Sequence, residues 1–209
     1  MKLYFKPGAC SMSSRIVLNE LGLAFDAERV DTEAGLTEAG ADYRSINPKG
    51  YVPALELDGG VVLTENPAIL QFLADTRPAA GLAPAPGTVD RARLQEWLNF
   101  TSSELHKAFS PYFRGRPPEA AEKEEVEARL ARRVEDVERG LADGRQFILG
   151  DRFTVADAYL FVVLNWSRFI GLDLARWPHV AVYVARLAER PSVHRAMREE
   201  GLVAGEAAA

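Results

Sequence analysis

The sequence predicts an α/β domain followed by an all-α domain. Three observations carry this reading. A strand, a loop and a helix open the chain and a hairpin and a second helix follow; a Pro-, Ala- and Gly-rich stretch without period runs from Arg77 to Val89; and everything beyond it has helical apolar spacing.

Taken in order, Lys2-Leu-Tyr-Phe5 is a short apolar run stopped by Lys6-Pro7-Gly8, which reads as a strand and a loop. From Ser11 to Gly22, Ile16, Val17, Leu18 and Leu21 recur at helical spacing, with Gly22 as the stop. Ala27 to Val30 reads as a second strand. Ala54 to Leu57 and Val61 to Leu63 flank Asp58-Gly59-Gly60 and read as a β-hairpin. Asn66-Pro67 then opens a helix as N-cap and first helical residue, with Ile69, Leu70, Phe72 and Leu73 on its buried side. Beyond the linker the expected helices are 90–113, 119–141, 154–169, 174–189 and 192–199. The expected division is a first domain over 1–78, a linker over 79–88 and a helical domain over 89–209.

Composition sets outer bounds. With 47% hydrophobic and 26% charged residues in 209, the chain has the make-up of an ordinary soluble globular protein and enough apolar material for a sizeable core. Lys and Arg number 25 against 30 Asp and Glu, and no region carries the basic excess that collects nucleic-acid phosphates. The longest strongly apolar run, Ala158 to Ser167, is closed by Asp157 and Arg168, far short of the ~18 residues of a membrane span. Lys6 and Pro7 interrupt any signal-peptide core, so the expected compartment is cytoplasmic. One cysteine excludes an intrachain disulfide. Together with His106, His179 and His194, which lie far apart in the chain, it gives no metal-ligand pattern.

The opening MKLYFKPGACSMSS, with NPKGYVPALELDGG, LTENPAILQFLAD and DRFTVADAYLF, resembles the cytosolic glutathione transferases, and most of all their bacterial beta class. The resemblance spans essentially the whole chain. It implies a thioredoxin-like first domain, a helical second domain, a homodimer and catalysis with glutathione as co-substrate.

Cys10 stands where a loop becomes a helix, where unpaired N–H groups and the positive dipole end favour a thiolate. The bland alternative is a buried inert cysteine. Cys10-Ser-Met-Ser13 lacks the second sulfur of a dithiol motif, so only one-cysteine chemistry is open. Lowering a thiol from pKa ~8.5 to ~6.5 gains about 25-fold in thiolate at pH 7 and returns about 8-fold in nucleophilicity. Catalysis must therefore lean on holding the reactants together. The family implies that Cys10 contacts the glutathione sulfur and can form a mixed disulfide with it. Ser11 is the second candidate hydroxyl.

Val52-Pro53 precedes the hairpin. Most X-Pro bonds are trans, but the resemblance implies a cis bond here, with the Val52 backbone turned to an extended peptide. Glu65 and Asn66 begin the next helix, and spacing alone leaves a plain cap and an α-amino-acid site equally open. The resemblance implies that they hold the γ-glutamyl end, Glu65 its ammonium and Asn66 with the helix end its carboxylate. Asn99, Ser103, His106 and Lys107 fall on one face at ~100° per residue. That face reads as solvated surface until the family, in which the matching histidine and lysine border the glutathione thiol, makes it part of the site. His106 would then orient the sulfur or exchange a proton near neutral pH.

Phe109, Phe113 and Trp166 are the candidate wall for a small apolar electrophile, against the alternative of plain core. Thr154 and Asp157 form a capping box, while His179 and His194 are read as structural or exposed. One departure stands out. Beta-class chains carry lysines after the second strand, one of them on the glycine carboxylate of glutathione. Here Asp31-Thr-Glu-Ala-Gly35-Leu intervenes, with no lysine until Lys49. The activities left open are conjugation of glutathione to small electrophiles, thiol-disulfide transfer through a Cys10 mixed disulfide, and a non-catalytic ligand-binding relative.

Overall fold

The computed structural model describes residues 1–203 except Arg114, Arg116 and Pro117. The chain folds into two compact units, Met1–Gly81 together with the chain from Glu189 on, and Leu82–Ala188.

In the first unit, β1 (Lys2–Phe5), α1 (Ser11–Glu20) and β2 (Asp26–Asp31) form a parallel βαβ element. The two-residue β3 (Leu36–Thr37), β4 (Ala54–Glu56) and β5 (Val62–Thr64) are all antiparallel to their neighbours, giving the order β3-β2-β1-β4-β5. β1 is central, which is why its apolar run does not alternate: Leu3, Tyr4 and Phe5 are all buried. Tyr4, Val30, Tyr43 and Ala54 pack one cluster together with Ile46, Val52 and Val62. α1 and α2 (Asn66–Thr76) pack against each other and supply the fully buried Ile16, Ile69, Leu70 and Leu73. Gly22 closes α1 at φ +59°, the left-handed geometry a helix stop requires.

The last helix among the described residues, α9 (Pro191–Glu199), was expected with the helical domain and instead packs on α1. Arg15, buried and with its guanidinium 4.2 Å from the Phe5 ring, donates to Glu200 at 3.0 Å. Arg190 pairs with Glu20. Burial pushes the Glu200 carboxyl up to about 7, even though the Gly8 N–H (2.8 Å) and Arg15 both bond it. Periodicity identifies a helix but not the surface it covers, so this partnership was beyond the sequence pattern.

Among its described residues the regular structure of the second unit is helical apart from an isolated bridge between Phe147 and Gly150. It comprises α3 (Val89–Phe100), a π-helical turn (Thr101–Leu105), α4 (His106–Phe109), α5 (Ala120–Leu141), α6 (Val155–Asn165), α7 (Ser167–Ile170) and α8 (Pro178–Ala188). Every residue of α6 is buried, so the longest apolar run of the sequence is the centre of this unit. Its Thr154/Asp157 capping box is present as expected. His179 is more than an isolated surface residue, since its Nδ1 lies 2.6 Å from Glu138, which also accepts the His179 and Val180 backbone N–H groups. Among the described residues no helix is long and apolar enough to cross a membrane.

Candidate functional site

Cys10 is the N-cap of α1, as its place in the sequence suggested. It is almost fully buried, and its thiol donates to the Val52 carbonyl at 3.4 Å. The Val52–Pro53 bond is cis. The loop leading to it is fixed from below. The buried Asn47 amide and the Tyr43 hydroxyl both donate to the Tyr51 carbonyl at 2.7 Å, one residue before Val52. The Val52 N–H meets no acceptor among the described residues.

Glu65, not Asn66, caps α2, which moves Asn66 and Pro67 one position into the helix. The shift has a backbone cause: Glu65 sits at φ 68°, ψ 111°, a conformation few non-glycine residues adopt, while its carbonyl accepts from Ala68 and Ile69. Strain of this kind persists only where the surroundings fix it, and it gathers at functional positions. The Asn66 side chain points inward, donating to Ser13 Oγ at 2.8 Å and accepting from Ser14 Oγ at 2.9 Å. Ser13 in turn donates to the Cys10 carbonyl at 2.7 Å, so Asn66 braces the turn that carries the thiol. Ser11 is fully buried, with its hydroxyl on the Lys6 backbone.

In the second unit, His106 Nδ1 is 2.9 Å from the hydroxyl of buried Tyr159, and its ring meets Trp166 edge-on at 4.7 Å. Burial, with the Lys107 ammonium adding to it, pulls the imidazole down to about 4. His106 is therefore neutral at pH 7, and the expectation of proton exchange near neutrality gives way to a fixed hydrogen-bonding role. Trp166 joins Phe109 (5.9 Å) and Phe113 (5.4 Å) in one aromatic cluster. Phe109 is wholly buried and serves as core, whereas Phe113 is 48% exposed and is the accessible ring of the group. Asn99, Ser103 and Lys107 are exposed. Their inferred stripe assumed an unbroken α-helix, but the π turn Thr101–Leu105 lies inside it and resets the angle between Asn99 and His106.

Comparison with known proteins bears directly on this arrangement. Residues 8–76 match the N-terminal domain of glutathione S-transferase, and residues 100–191 match its C-terminal domain. Glutathione S-transferase GstA of Escherichia coli O157:H7 is 46% identical over 202 residues, covering 97% of this chain and all of that protein. The chain belongs to the glutathione S-transferase family. Solved relatives agree in fold. A sphingomonad glutathione S-transferase complexed with glutathione is 45% identical (TM-score 0.91), and the beta-class enzyme of Sphingomonas chungbukensis is 44% identical (TM-score 0.92); each match covers 97% of this chain and 100% of the other. The architecture is thus a thioredoxin-like mixed sheet with helices, followed by a helical domain, and the activity class is glutathione transferase.

Several residues around the candidate site of this transferase escaped sequence reasoning. Tyr43 and Asn47, which hold the Val52 loop, carried no motif. Tyr159 lies 53 positions from the histidine it touches. Lys49 was noted only as the first lysine after a gap, yet its Nζ is 2.5 Å from Glu65. The unusual backbone at Glu65 had no signal at all, since nothing in the residue type announces it. No group of three or more His, Cys, Asp or Glu able to hold a metal ion occurs among the described residues.

Proposed function

We propose that this transferase binds reduced glutathione against Val52 and Glu65, with its sulfur beside Cys10, and adds its thiolate to small apolar electrophiles, His106 being carried over from the family as the second catalytic residue. The observation that carries the reading is the Val52 N–H, without an acceptor among the described residues, on a braced loop whose carbonyl touches the Cys10 thiol. An extended peptide adds to such an edge as a strand would, which brings its sulfur to Cys10.

The chain's own groups divide the work. Val52 and Pro53 receive the peptide, Glu65 holds the γ-glutamyl ammonium, and Asn66 acts by bracing Cys10 through Ser13. A neutral His106 offers an N–H to a thiolate without gaining or losing a proton, and the exposed Lys107 ammonium adds favourable charge. The glutathione thiol gives its proton to solvent. Its sulfur then bonds to carbon as the leaving group departs, or as an activated double bond takes up the electron pair. Phe113 borders the electrophile, with the buried Trp166 packed behind it. Asn99 and Ser103 remain candidate polar contacts. A homodimer, a cytoplasmic location and a detoxifying role complete the reading by analogy with the family.

A second reading rests on Cys10 itself, the N-cap residue of α1, whose thiol donates to the Val52 carbonyl. Cys10 thiolate attacking glutathione disulfide would give a Cys10–glutathione mixed disulfide and one released glutathione thiolate. The test compares Cys10→Ala and His106→Ala with the wild type in conjugation of an activated aryl halide. Both variants are expected to lose turnover, and wild-type rates in both would overturn the assignment. A single glutathione adduct on wild-type protein after exposure to glutathione disulfide would favour the second reading.

A further inference from the structure

We infer that the Tyr159 hydroxyl sets the tautomer of His106: it donates to Nδ1, so the ring carries its proton on Nε2 and acts as a hydrogen-bond donor rather than as a base. The inference rests on the reading above that makes His106 a catalytic residue, and it names Tyr159 as the residue that positions it.

The arrangement is built entirely within the second unit. Tyr159 stands in the wholly buried α6, and its hydroxyl oxygen lies 2.9 Å from His106 Nδ1. Trp166 is the C-cap of the same helix, seven residues on, which is two turns and therefore the same face. Its ring meets the imidazole edge-on at 4.7 Å, and the Tyr159 ring does so at 6.2 Å. One face of α6 thus grips the imidazole at two points. The π turn Thr101–Leu105 ends directly before His106 and sets the angle at which α4 delivers the ring. With Nδ1 occupied by Tyr159, Nε2 is the nitrogen left for a ligand, and it bonds no other described residue.

Which atom of the pair donates follows from acid and base strength. A phenol O–H ionises near pH ~10, and an imidazole N–H is a far weaker acid. Conversely, the bare nitrogen of imidazole takes a proton near pH ~6.5, whereas a phenol oxygen is a poor base. The stronger acid donating to the stronger base makes the better bond, so the hydrogen lies in O–H···Nδ1 and the single proton of the neutral ring goes to Nε2. Burial keeps the ring neutral at pH 7, where only one nitrogen can hold a hydrogen and the choice between them has consequences. In this form Nε2–H can donate to a thiolate but cannot take the proton of a thiol. Tyr159, buried and far from His106 in sequence, thereby decides what the histidine can do.

The test is nitrogen-15 NMR of histidine-labelled protein at pH 7, with the His106 signals identified as those lost in His106→Gln, together with turnover of an activated aryl halide at saturating glutathione. Wild type and Tyr159→Phe are compared. Wild-type His106 is expected in the Nε2–H form alone. Tyr159→Phe deletes one hydroxyl and should leave a mixture of both ring forms, with turnover lowered about two- to ten-fold, the worth of one hydrogen bond between neutral groups. A wild-type ring protonated on Nδ1 overturns the proposal, as does Tyr159→Phe unchanged in ring form or in turnover. If the wild type shows no conjugation at all, the catalytic reading falls and the ring forms alone decide whether Tyr159 sets the tautomer.

Discussion

Replacing Asp157 by Ala is expected to destabilise the helical unit strongly without touching the candidate glutathione groups of the first unit. The carboxylate is wholly buried and serves four donors. Oδ1 accepts from Ile148 N–H at 2.7 Å and Tyr183 O–H at 2.8 Å, and Oδ2 accepts from Thr154 N–H and Thr154 Oγ1, each at 2.8 Å. Ile148, Thr154 and Tyr183 are themselves buried, so alanine strands donors that water cannot easily reach. At the lower end of ~1 to 3 kcal/mol per stranded group, four donors cost about 4 kcal/mol. Burial pushes the Asp157 carboxyl up, the mark of a desolvation cost whose removal by alanine offsets part of this loss. The stranded donors set the scale, on the order of 2 to 4 kcal/mol, or roughly 4 to 16 °C in Tm for a chain of this size. Asp157→Asn keeps one oxygen and falls between wild type and Ala. Urea unfolding followed by far-ultraviolet circular dichroism measures it. A loss below about 1 kcal/mol for Ala would refute the account of Asp157 as the keystone of α6.

His106 gives acid sensitivity of defined sign. An unfolded histidine takes a proton below about 6.5, whereas the folded one does so only near 4, so acidification between these values draws the chain toward unfolding by up to about 3 kcal/mol. Unfolding free energy measured against pH should therefore fall less steeply over this window in His106→Gln, and parallel curves would contradict the buried neutral imidazole. Glu200 works in the opposite sense: its carboxyl keeps a proton up to about 7 when folded, so acidification from 7 toward 4.5 favours the folded state, and Glu200→Gln should be the more acid-labile protein. In Gly140→Ala the new Cβ would lie 2.8 Å from the Trp97 ring. Overpacking of about 1 to 3 kcal/mol should outweigh the ~1 kcal/mol gained in helix propensity, lowering Tm, and a raised Tm would show that Trp97 swings aside freely.

What the sequence made legible follows from how local each signal is. β1, α1, the hairpin and α5 emerged close to their true limits because each is written in consecutive residues. Asp58-Gly59-Gly60 announces its turn, and Gly22 its helix stop. β3 was missed because two residues carry no periodicity. The π turn at Thr101–Leu105 was missed because its residues suit an α-helix equally well, and the stripe drawn through it was displaced as a result. In the candidate site, Cys10, Val52 and Glu65 could be read from loop and cap positions together with the family resemblance. Most of the partners that define what these residues can do came from far along the chain: Tyr159 on His106, Lys49 on Glu65 and Asn66 on Ser13, while the local Asn47 bond to Tyr51 carried no motif. Such pairings follow from tertiary packing, to which spacing is blind.

The central claim is that the Val52 edge and Glu65 form a working glutathione site despite the lysine absent after β2. Calorimetric titration of the wild-type protein with reduced glutathione at neutral pH tests it most directly. The account predicts one saturable event per chain with a Kd on the order of a millimolar or tighter. Absence of any binding heat at concentrations several-fold above that range would contradict it and leave a chain that has the transferase fold without its co-substrate.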